Sequence, residues 1–171
     1  MNNNLYLFLD IDGVLATANQ FYSNPLKWHP KYKCYKFDNK CVKVFNDILN
    51  TIQPITPIII LSSDWGGRYT INELNEIFEW NNVHCTISDL TPKLWNVEFN
   101  KLSNLEECRA SEILKYVKDN NINKFIVIDD LNLFKWFESN FIHTPRVYEG
   151  IKQTGINLKL MKMIKFINDE K

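Results

Sequence analysis

The chain has 171 residues, of which 45% are hydrophobic and 13% aromatic, and its formal net charge is zero. This composition excludes extensive disorder and predicts one domain, over residues 1–171, that buries a substantial core. A neutral chain has no overall attraction to nucleic acid or to a membrane surface, and no segment approaches the ~20 apolar residues of a membrane span.

The cysteines and the amino terminus bear on the cellular compartment. Cys34, Cys41, Cys85 and Cys108 form neither a C-x-x-C pair nor the spacing of a zinc site. The first apolar run is short and follows no basic start, so no signal peptide is predicted. These features favour a cytoplasmic protein with reduced thiols.

The first predicted strand ends in two acids. Leu5 to Leu9 is wholly apolar, as in a parallel strand covered on both faces, and the sequence DIDG follows. Residues two apart in an extended chain point the same way, so Asp10 and Asp12 would converge at the carboxyl end of the strand. Their repulsion, about 3 kcal/mol at ~5 Å, requires a shared proton or a bound cation.

Two simpler explanations of this motif were weighed. The acids may be replaced in this role by an ordinary turn that ends the strand, since Gly13 permits a sharp reversal and also a close approach to a ligand. An EF-hand is excluded, because Val14 and Leu15 stand where calcium needs an oxygen ligand and a glycine.

Helices and strands alternate along the rest of the chain. The predicted helices cover residues 38–52 with Asp38 as N-cap, 70–80 and 103–119 with a capping box each, and 155–168. The further predicted strands are Ile58–Leu61, Val83–Ile87, Phe125–Ile128 and Arg146–Tyr148. This alternation predicts a parallel sheet with helices on both faces.

Three of the predicted strands are followed by polar pairs. These pairs are Asp10 with Asp12, Ser62 with Ser63, and Asp129 with Asp130. Ligands of open α/β sheets bind at the carboxyl ends of the strands. The sequence therefore predicts one crevice lined by acids and hydroxyls.

The motifs resemble those of the haloacid dehalogenase-like superfamily. FLDIDGVL is similar to its first motif, IIILSS to its second and FIVIDD to its fourth, in the same order. LSSDW, TPKL, R-x-x-E-I from Arg109 and the late TGIN further resemble the small haloacid dehalogenase-like domains of RNA-repair proteins. The resemblance extends from Leu5 to about Gly155.

This resemblance implies a three-layer α/β/α Rossmann-like fold and phosphoryl transfer through an aspartyl-phosphate. Asp10 would be the nucleophile and Asp12 the general acid and base. Mg²⁺ would be held by the Asp10 carboxylate, the Asp12 main-chain carbonyl and an acid from Asp129 or Asp130. For the last pair, the alternative is a helix cap or turn.

The remaining catalytic groups are expected around the phosphate. Ser62 would donate to a phosphoryl oxygen, with Ser63 as a second donor, although both also fit a polar turn. The cation of the third motif is expected to be Arg109, whose planar fork suits phosphate, with Lys93 in reserve. The alternative for Arg109 is a surface bridge to neighbouring glutamates on its helix.

The segment from about residue 16 to 37, here called the flap, is too short for a cap domain. Six lysines and one acid lie between Lys27 and Lys43, with aromatic residues interleaved. Lysines for phosphates and rings for bases fit single-stranded nucleic acid, and Lys33, Lys36 and Gly13 are taken as substrate-binding candidates. Rings that pack on the body beside solvated lysines explain the pattern equally well.

The predicted function is a Mg²⁺-dependent phosphatase, and the expected substrate is a phosphate on a nucleic-acid end or a nucleotide. A phosphoprotein or a small phosphorylated metabolite is the alternative substrate. A phosphate- or nucleic-acid-binding module without catalysis is the alternative class, and retention of both Asp10 and Asp12 argues against it.

Overall fold

A computed structural model describes residues 4–94 and 104–169. Five parallel strands form one sheet in the order β3-β2-β1-β4-β5. The strands are β1 Tyr6–Leu9, β2 Ile58–Leu61, β3 Ile87–Leu90, β4 Phe125–Asp129 and β5 Phe141–His143. The predicted parallel sheet is confirmed, and β1 with its acids lies at its centre.

Six α-helices occur within the described ranges. They are α1 Ala18–Phe21, α2 Asn39–Thr51, α3 Ile71–Trp80, α4 Leu105–Asp119, α5 Phe134–Phe137 and α6 Ile156–Asp169. Short 3-10 turns cover Pro25–Lys27, Asp64–Gly67 and Gly150–Lys152. The four longer helices agree with the predicted ones to within about two residues, because their capping signals lie in the local sequence.

Side-chain caps explain where the long helices begin. The Asp38 carboxylate accepts from the Lys40 and Cys41 amides at 2.8 and 3.1 Å at the start of α2. Thr70 and Glu73 form the predicted capping box of α3. The N-cap of α4 is Asn104, which accepts from the Glu107 amide. Ser103, predicted to open that helix, lies outside the described residues.

Side chains of each strand alternate between two apolar layers. Leu7, Leu9, Ile59 and Ile128 pack with α2, α3 and α6 on one face of the sheet. Phe8, Ile60 and Val127 pack with α4 and α5 on the other face. This alternation follows from the twofold period of a strand, and it produces the predicted three-layer α/β/α Rossmann-like architecture.

The two edge strands differ from the prediction. Val83–Ile87 was wrong in its bounds, because the strand begins only at Ile87 and continues through the exposed Ser88 and Asp89. Arg146–Tyr148 is a turn, in which the Gly150 amide donates to the Arg146 carbonyl. The fifth strand is Phe141–His143 instead, a run too short to stand out in the sequence.

The flap contains the single turn α1 and a 3-10 turn, with extended chain up to α2. Its rings pack on the body: Tyr35 lies 5.3 Å from both Phe21 and Trp65 between ring centroids, and His29 lies 4.8 Å from Trp80. The flap is therefore held to the body by its aromatic residues. That residues 1–171 act as a single domain stays a prediction.

None of the helices in the described part of the chain is long and apolar enough to cross a membrane.

Candidate active site

The sheet register brings the predicted acids together. Leu9 pairs with Ile128, and the Asp10 amide donates to the Ile128 carbonyl at 3.0 Å. Asp10 and Asp129 thus leave adjacent strands at the same level. On the other side of β1, the Ser62 amide donates to the Leu9 carbonyl at 2.9 Å. Three strand ends therefore converge, as parallel strands require.

The carboxylates of Asp10, Asp129 and Asp130 form a tight cluster. One oxygen from each lies within 4.8 Å of the others. Asp10 and Asp129 are buried, whereas Asp130 is partly accessible. Hard oxygen ligands at this separation are the donor set that Mg²⁺ takes together with water and phosphate. The side chains present therefore fit a divalent cation.

Burial places the cluster under electrostatic stress. It raises the pKa of the Asp10 and Asp129 carboxyls, and the nearby Arg109 charge opposes that rise. Burial and the Asp10 charge raise the pKa of Asp130 to about 7. Raised pKa values in three adjoining carboxyls indicate an excess of negative charge, which a cation would offset.

Arg109 is the basic group of the cluster. Its Nη1 lies 2.7 Å from Asp129 Oδ2 and 3.4 Å from Asp10 Oδ1, and it donates to the Ser62 carbonyl at 2.6 Å. Its Nη2 lies 3.5 Å from Asp64 Oδ1. Burial works against the charge, but the Asp129 and Asp10 carboxylates raise the pKa of Arg109 above its usual range. A planar, multidentate cation therefore joins three elements at the site.

Lys93 does not share this position. Its Nζ pairs with the buried Glu112 carboxylate at 3.2 Å, and the second Glu112 oxygen accepts from the Leu94 amide at 3.0 Å. Of the two predicted cations, the geometry places Arg109 beside Asp10 and ties Lys93 to Glu112. The expected surface bridge of Arg109 to its own helix is not formed, because the side chain is buried.

The Asp12 carboxylate lies outside the acidic cluster. Strand pairing ends at Leu9, and the chain turns so that the Val14, Leu15 and Ala16 amides all donate to the Ile11 carbonyl. Asp12 Oδ1 accepts from Tyr35 Oη at 2.5 Å, and Oδ2 accepts from Trp65 Nε1 at 3.1 Å. One donor on each oxygen fixes the orientation of this carboxyl group.

The pKa of Asp12 is raised to about 6. Burial is the main cause, the Asp10 charge adds to it, and the hydrogen bonds from Tyr35 and Trp65 oppose it. A carboxyl group with this pKa both releases and takes up protons near neutral pH. Asp10 and Asp12, similar in the sequence, thus occupy different environments.

Gly13 is required by the approach of Asp130. Its φ is +74°, and a Cβ atom there would lie 2.5 Å from Asp130 Cβ. The Gly13 carbonyl accepts from the buried Thr144 hydroxyl at 3.0 Å. The turn after β1 is therefore tied to the loop after β5, and only glycine fits between the two acidic segments.

The Ser62 and Ser63 hydroxyls are buried, and neither finds a hydrogen-bond partner among the described residues. The Ser63 hydroxyl lies close enough to lower the pKa of Asp10, although its geometry falls short of a hydrogen bond. A buried hydroxyl without a partner is uncommon in folded proteins. Both hydroxyls adjoin the strand end that carries Asp10, where a phosphoryl oxygen would accept from them.

The predicted flap lysines lie away from the acidic cluster. Lys33 is exposed and has a φ of +54°. Lys36 is half-buried, with its Nζ 5.2 Å from the centre of the Trp80 ring. Their role as substrate ligands stays a prediction.

Sequence reasoning missed two donors to Asp12. Tyr35 was noted only as a flap ring, and Trp65 only as a core anchor. Trp65 is indeed buried, but its indole N–H also reaches Asp12. Residues 23 and 53 positions away carry no spacing signal for such contacts. The only sequence hint was that Trp65 follows the second polar strand end.

A parallel sheet with this order and an acidic cluster at the ends of its central strands defines a haloacid dehalogenase-like domain. The chain belongs to the family described as the HAD domain in Swiss Army Knife RNA repair proteins, whose profile matches residues 6–154. Comparisons with curated proteins and with solved structures give no match. The resemblance read from the motifs is therefore confirmed at the level of the family.

Proposed function

We propose that the protein is a Mg²⁺-dependent phosphomonoesterase that works through an aspartyl-phosphate on Asp10. The observation that carries this proposal is the contrast between its first two acids. Asp10 lies in a three-carboxylate cluster, whereas Asp12 is held apart by Tyr35 and Trp65 with a pKa of about 6. A binding site needs only the cluster, while phosphoryl transfer also needs a separate proton donor.

Asp10 acts as the nucleophile. One of its oxygens attacks phosphorus while the bond from phosphorus to the ester oxygen breaks. Asp10, Asp129 or Asp130, and the Asp12 main-chain carbonyl would hold Mg²⁺, which when bound offsets the repulsion between the carboxylates and the phosphate. The clustering of Asp10 with the acids of β4 supports this assignment.

Asp12 handles the protons in both half-reactions. In its protonated form it donates to the leaving ester oxygen as the first bond breaks. Its carboxylate then takes a proton from the water that attacks the phosphorus of phospho-Asp10, which releases phosphate and restores both acids. A pKa of about 6 keeps both protonation states accessible near neutral pH.

Arg109 and the two serines position the phosphate. Arg109 Nη1, 3.4 Å from Asp10 Oδ1, orients the nucleophile. The partnerless Ser62 and Ser63 hydroxyls supply donors for phosphoryl oxygens, because a bound phosphate would satisfy both. Gly13 allows this close approach of backbone and acids.

The proposed substrate is a phosphate at a nucleic-acid end. Membership of a family of RNA-repair HAD domains supports a nucleic-acid substrate. The short flap between β1 and α2, which replaces a cap domain, supports a substrate that extends beyond the site. Nucleotides, phosphoproteins and small metabolites are the alternatives to be compared.

Hydrolysis of an aryl phosphate, with Mg²⁺ and with EDTA, tests the chemistry. We expect turnover only with the metal, and loss of turnover in Asp10→Asn. Metal-independent turnover, or full activity of Asp10→Asn, would overturn the mechanism. Absence of hydrolysis of every substrate would favour a binding module instead.

A panel of oligonucleotides with 3′ or 5′ phosphates, nucleotides, phosphopeptides and sugar phosphates tests the substrate class. We expect the highest kcat/KM for one of the two oligonucleotides. A sugar phosphate or a phosphopeptide at the top of the panel would contradict the proposed substrate and leave the mechanism standing.

A further inference from the structure

A basic groove lies beside the active site and takes no part in the chemistry described above. It has a volume of about 650 Å³, and its lining includes Lys27, Lys36, Lys40 and Lys152. Asp38 is the one acid among its lining residues. The groove runs between the flap with the start of α2 on one side and the Gly150–Lys152 turn on the other.

The charge of Asp38 is already committed. One of its oxygens caps α2 by accepting from the Lys40 and Cys41 amides, and the other lies 2.6 Å from Lys152 Nζ. The acid therefore neutralises Lys152 and the amino end of α2 rather than the remaining lysines of the groove.

The other three lysines have no carboxylate partner. Within residues 4–94 and 104–169, neither Lys27, Lys36 nor Lys40 forms an ion pair. Lys27 and Lys40 are exposed, and Lys36 is half-buried against Trp80. Like charges gathered around a concave surface produce a strong local potential, although the chain as a whole is neutral.

Both walls of the groove are attached to the turn that follows Asp12. The Asp38 amide donates to the Leu15 carbonyl at 2.9 Å, and the Ile151 amide donates to the Val14 carbonyl at 3.0 Å. Lys36 directly follows Tyr35, whose hydroxyl binds Asp12. A chain lying in the groove would therefore lead to the active site.

The chemistry of the groove fits a nucleic acid better than an acidic peptide. Lysine ammonium groups suit the repeated phosphates of a backbone. The Tyr148 ring, 62% exposed at the groove, offers a surface on which a base can stack. Side-chain amides of Asn19, Gln20 and Asn39 also line it and can bond base edges or hydroxyls.

From these observations we infer that the groove binds the backbone of single-stranded nucleic acid and directs its end to Asp10. The inference rests on the proposed function for the identity of that end, but the groove itself is tested without any hydrolysis. Lys27, Lys36 and Lys40 contact phosphates, and Tyr148 stacks on a base.

The test uses a fluorescent single-stranded oligonucleotide with hydroxyl ends, so that no phosphomonoester is present. Its affinity for the full chain is measured by anisotropy at several salt concentrations. Replacing two phosphate contacts, as in Lys27→Gln with Lys40→Gln, lowers the slope of log affinity against log salt by about 1.4, because each contact to a single strand contributes ~0.7. Tyr148→Ala weakens binding without changing that slope.

The matched control is Lys118→Gln with Lys162→Gln, which removes the same charge from exposed positions outside the groove. We expect its slope and affinity to equal those of the unmodified chain. An unchanged slope in the groove variant, or an equal loss in the control, overturns the inference. Competition by polyglutamate as strong as that by unlabelled oligonucleotide overturns it in favour of an acidic peptide.

Aryl phosphate hydrolysis by the unmodified chain, measured in parallel, separates the two proposals. Oligonucleotide binding with the expected slope but no hydrolysis leaves the groove and removes the phosphatase. Hydrolysis without oligonucleotide binding leaves the phosphatase and removes the groove.

Discussion

A single nitrogen of Arg109 contacts the ends of two neighbouring strands: Nη1 lies 2.7 Å from Asp129 Oδ2 and 3.4 Å from Asp10 Oδ1. All three side chains are buried. A buried charge is tolerated only with a partner and hydrogen bonds, so this guanidinium both compensates the acidic cluster and fixes its geometry. Stability and activity are consequently coupled at this residue.

Replacing Arg109 tests that coupling. Arg109→Met leaves two buried carboxylates without their cation, and we expect a loss of about 3–5 kcal/mol in the free energy of unfolding. Arg109→Lys restores a charge but cannot reach Ser62, Asp129 and Asp64 together, so we expect kcat/KM to fall roughly 100-fold. Lys93→Met is the comparison, and a loss of kcat/KM in it equal to that of Arg109→Lys would assign the third-motif role to Lys93.

Tyr35→Phe removes one of the two donors to Asp12 and keeps the ring. Because the bond from Tyr35 lowers the pKa of Asp12, its loss raises that pKa, and the alkaline limb of the pH–rate profile moves to higher pH. We expect kcat to fall about tenfold or more through loss of orientation. Tyr69→Phe is the control, because its hydroxyl donates to the Tyr32 carbonyl and not to Asp12. Identical profiles for the two variants would contradict this role.

Metal binding is measurable without substrate. At a Mg²⁺ concentration 100 times Kd, binding to the folded state adds about 2.7 kcal/mol, or roughly 5–10 °C in Tm for a chain of this size. Asp130→Asn removes one carboxylate of the cluster and should abolish most of that rise. Asp47→Asn, on the exposed face of α2 beside Lys43, should retain it. A full rise in Asp130→Asn would show that Asp130 is not a ligand.

Gly13→Ala introduces a methyl group where the backbone and Asp130 leave no room. We expect a loss of about 1–3 kcal/mol from the left-handed φ, together with a weaker Mg²⁺ effect on Tm as Asp130 is displaced. Gly67→Ala is matched, since a Cβ there meets no atom within 4 Å. Equal stability of the two variants would contradict the close packing of Gly13 on Asp130.

The metal-free protein should be more stable in mild acid than at neutral pH. The pKa of Asp130 rises from 3.8 to about 7 on folding, because of burial and the Asp10 charge. Between about pH 4 and 7 the folded state therefore binds more protons than the unfolded state, and stability falls as the pH rises. Urea unfolding in EDTA should give a free energy on the order of 1–2 kcal/mol lower at pH 7.5 than at pH 5.5, after allowance for partial exposure. A smaller difference is expected in Asp130→Asn, and stability that rises over this window would contradict the assignment.

Much of the fold could be predicted because its signals are local. Buried parallel strands appear as continuous apolar runs, as at Ile58–Leu61 and Phe125–Ile128, and the caps at Asp38 and Thr70 begin their helices as expected. The edge strands β3 and β5 could not be predicted correctly, because a half-exposed or three-residue strand lacks such a run.

The amino-acid sequence by itself determined which strand ends carry acids and hydroxyls, since those residues directly follow the apolar runs and a parallel sheet aligns such ends. Only the tertiary structure decided that Arg109 and not Lys93 lies against Asp10, and that Tyr35 and Trp65 hold Asp12 apart from the cluster. Those contacts join residues far apart in the chain, and long-range packing, rather than any local pattern, brings them within hydrogen-bonding distance.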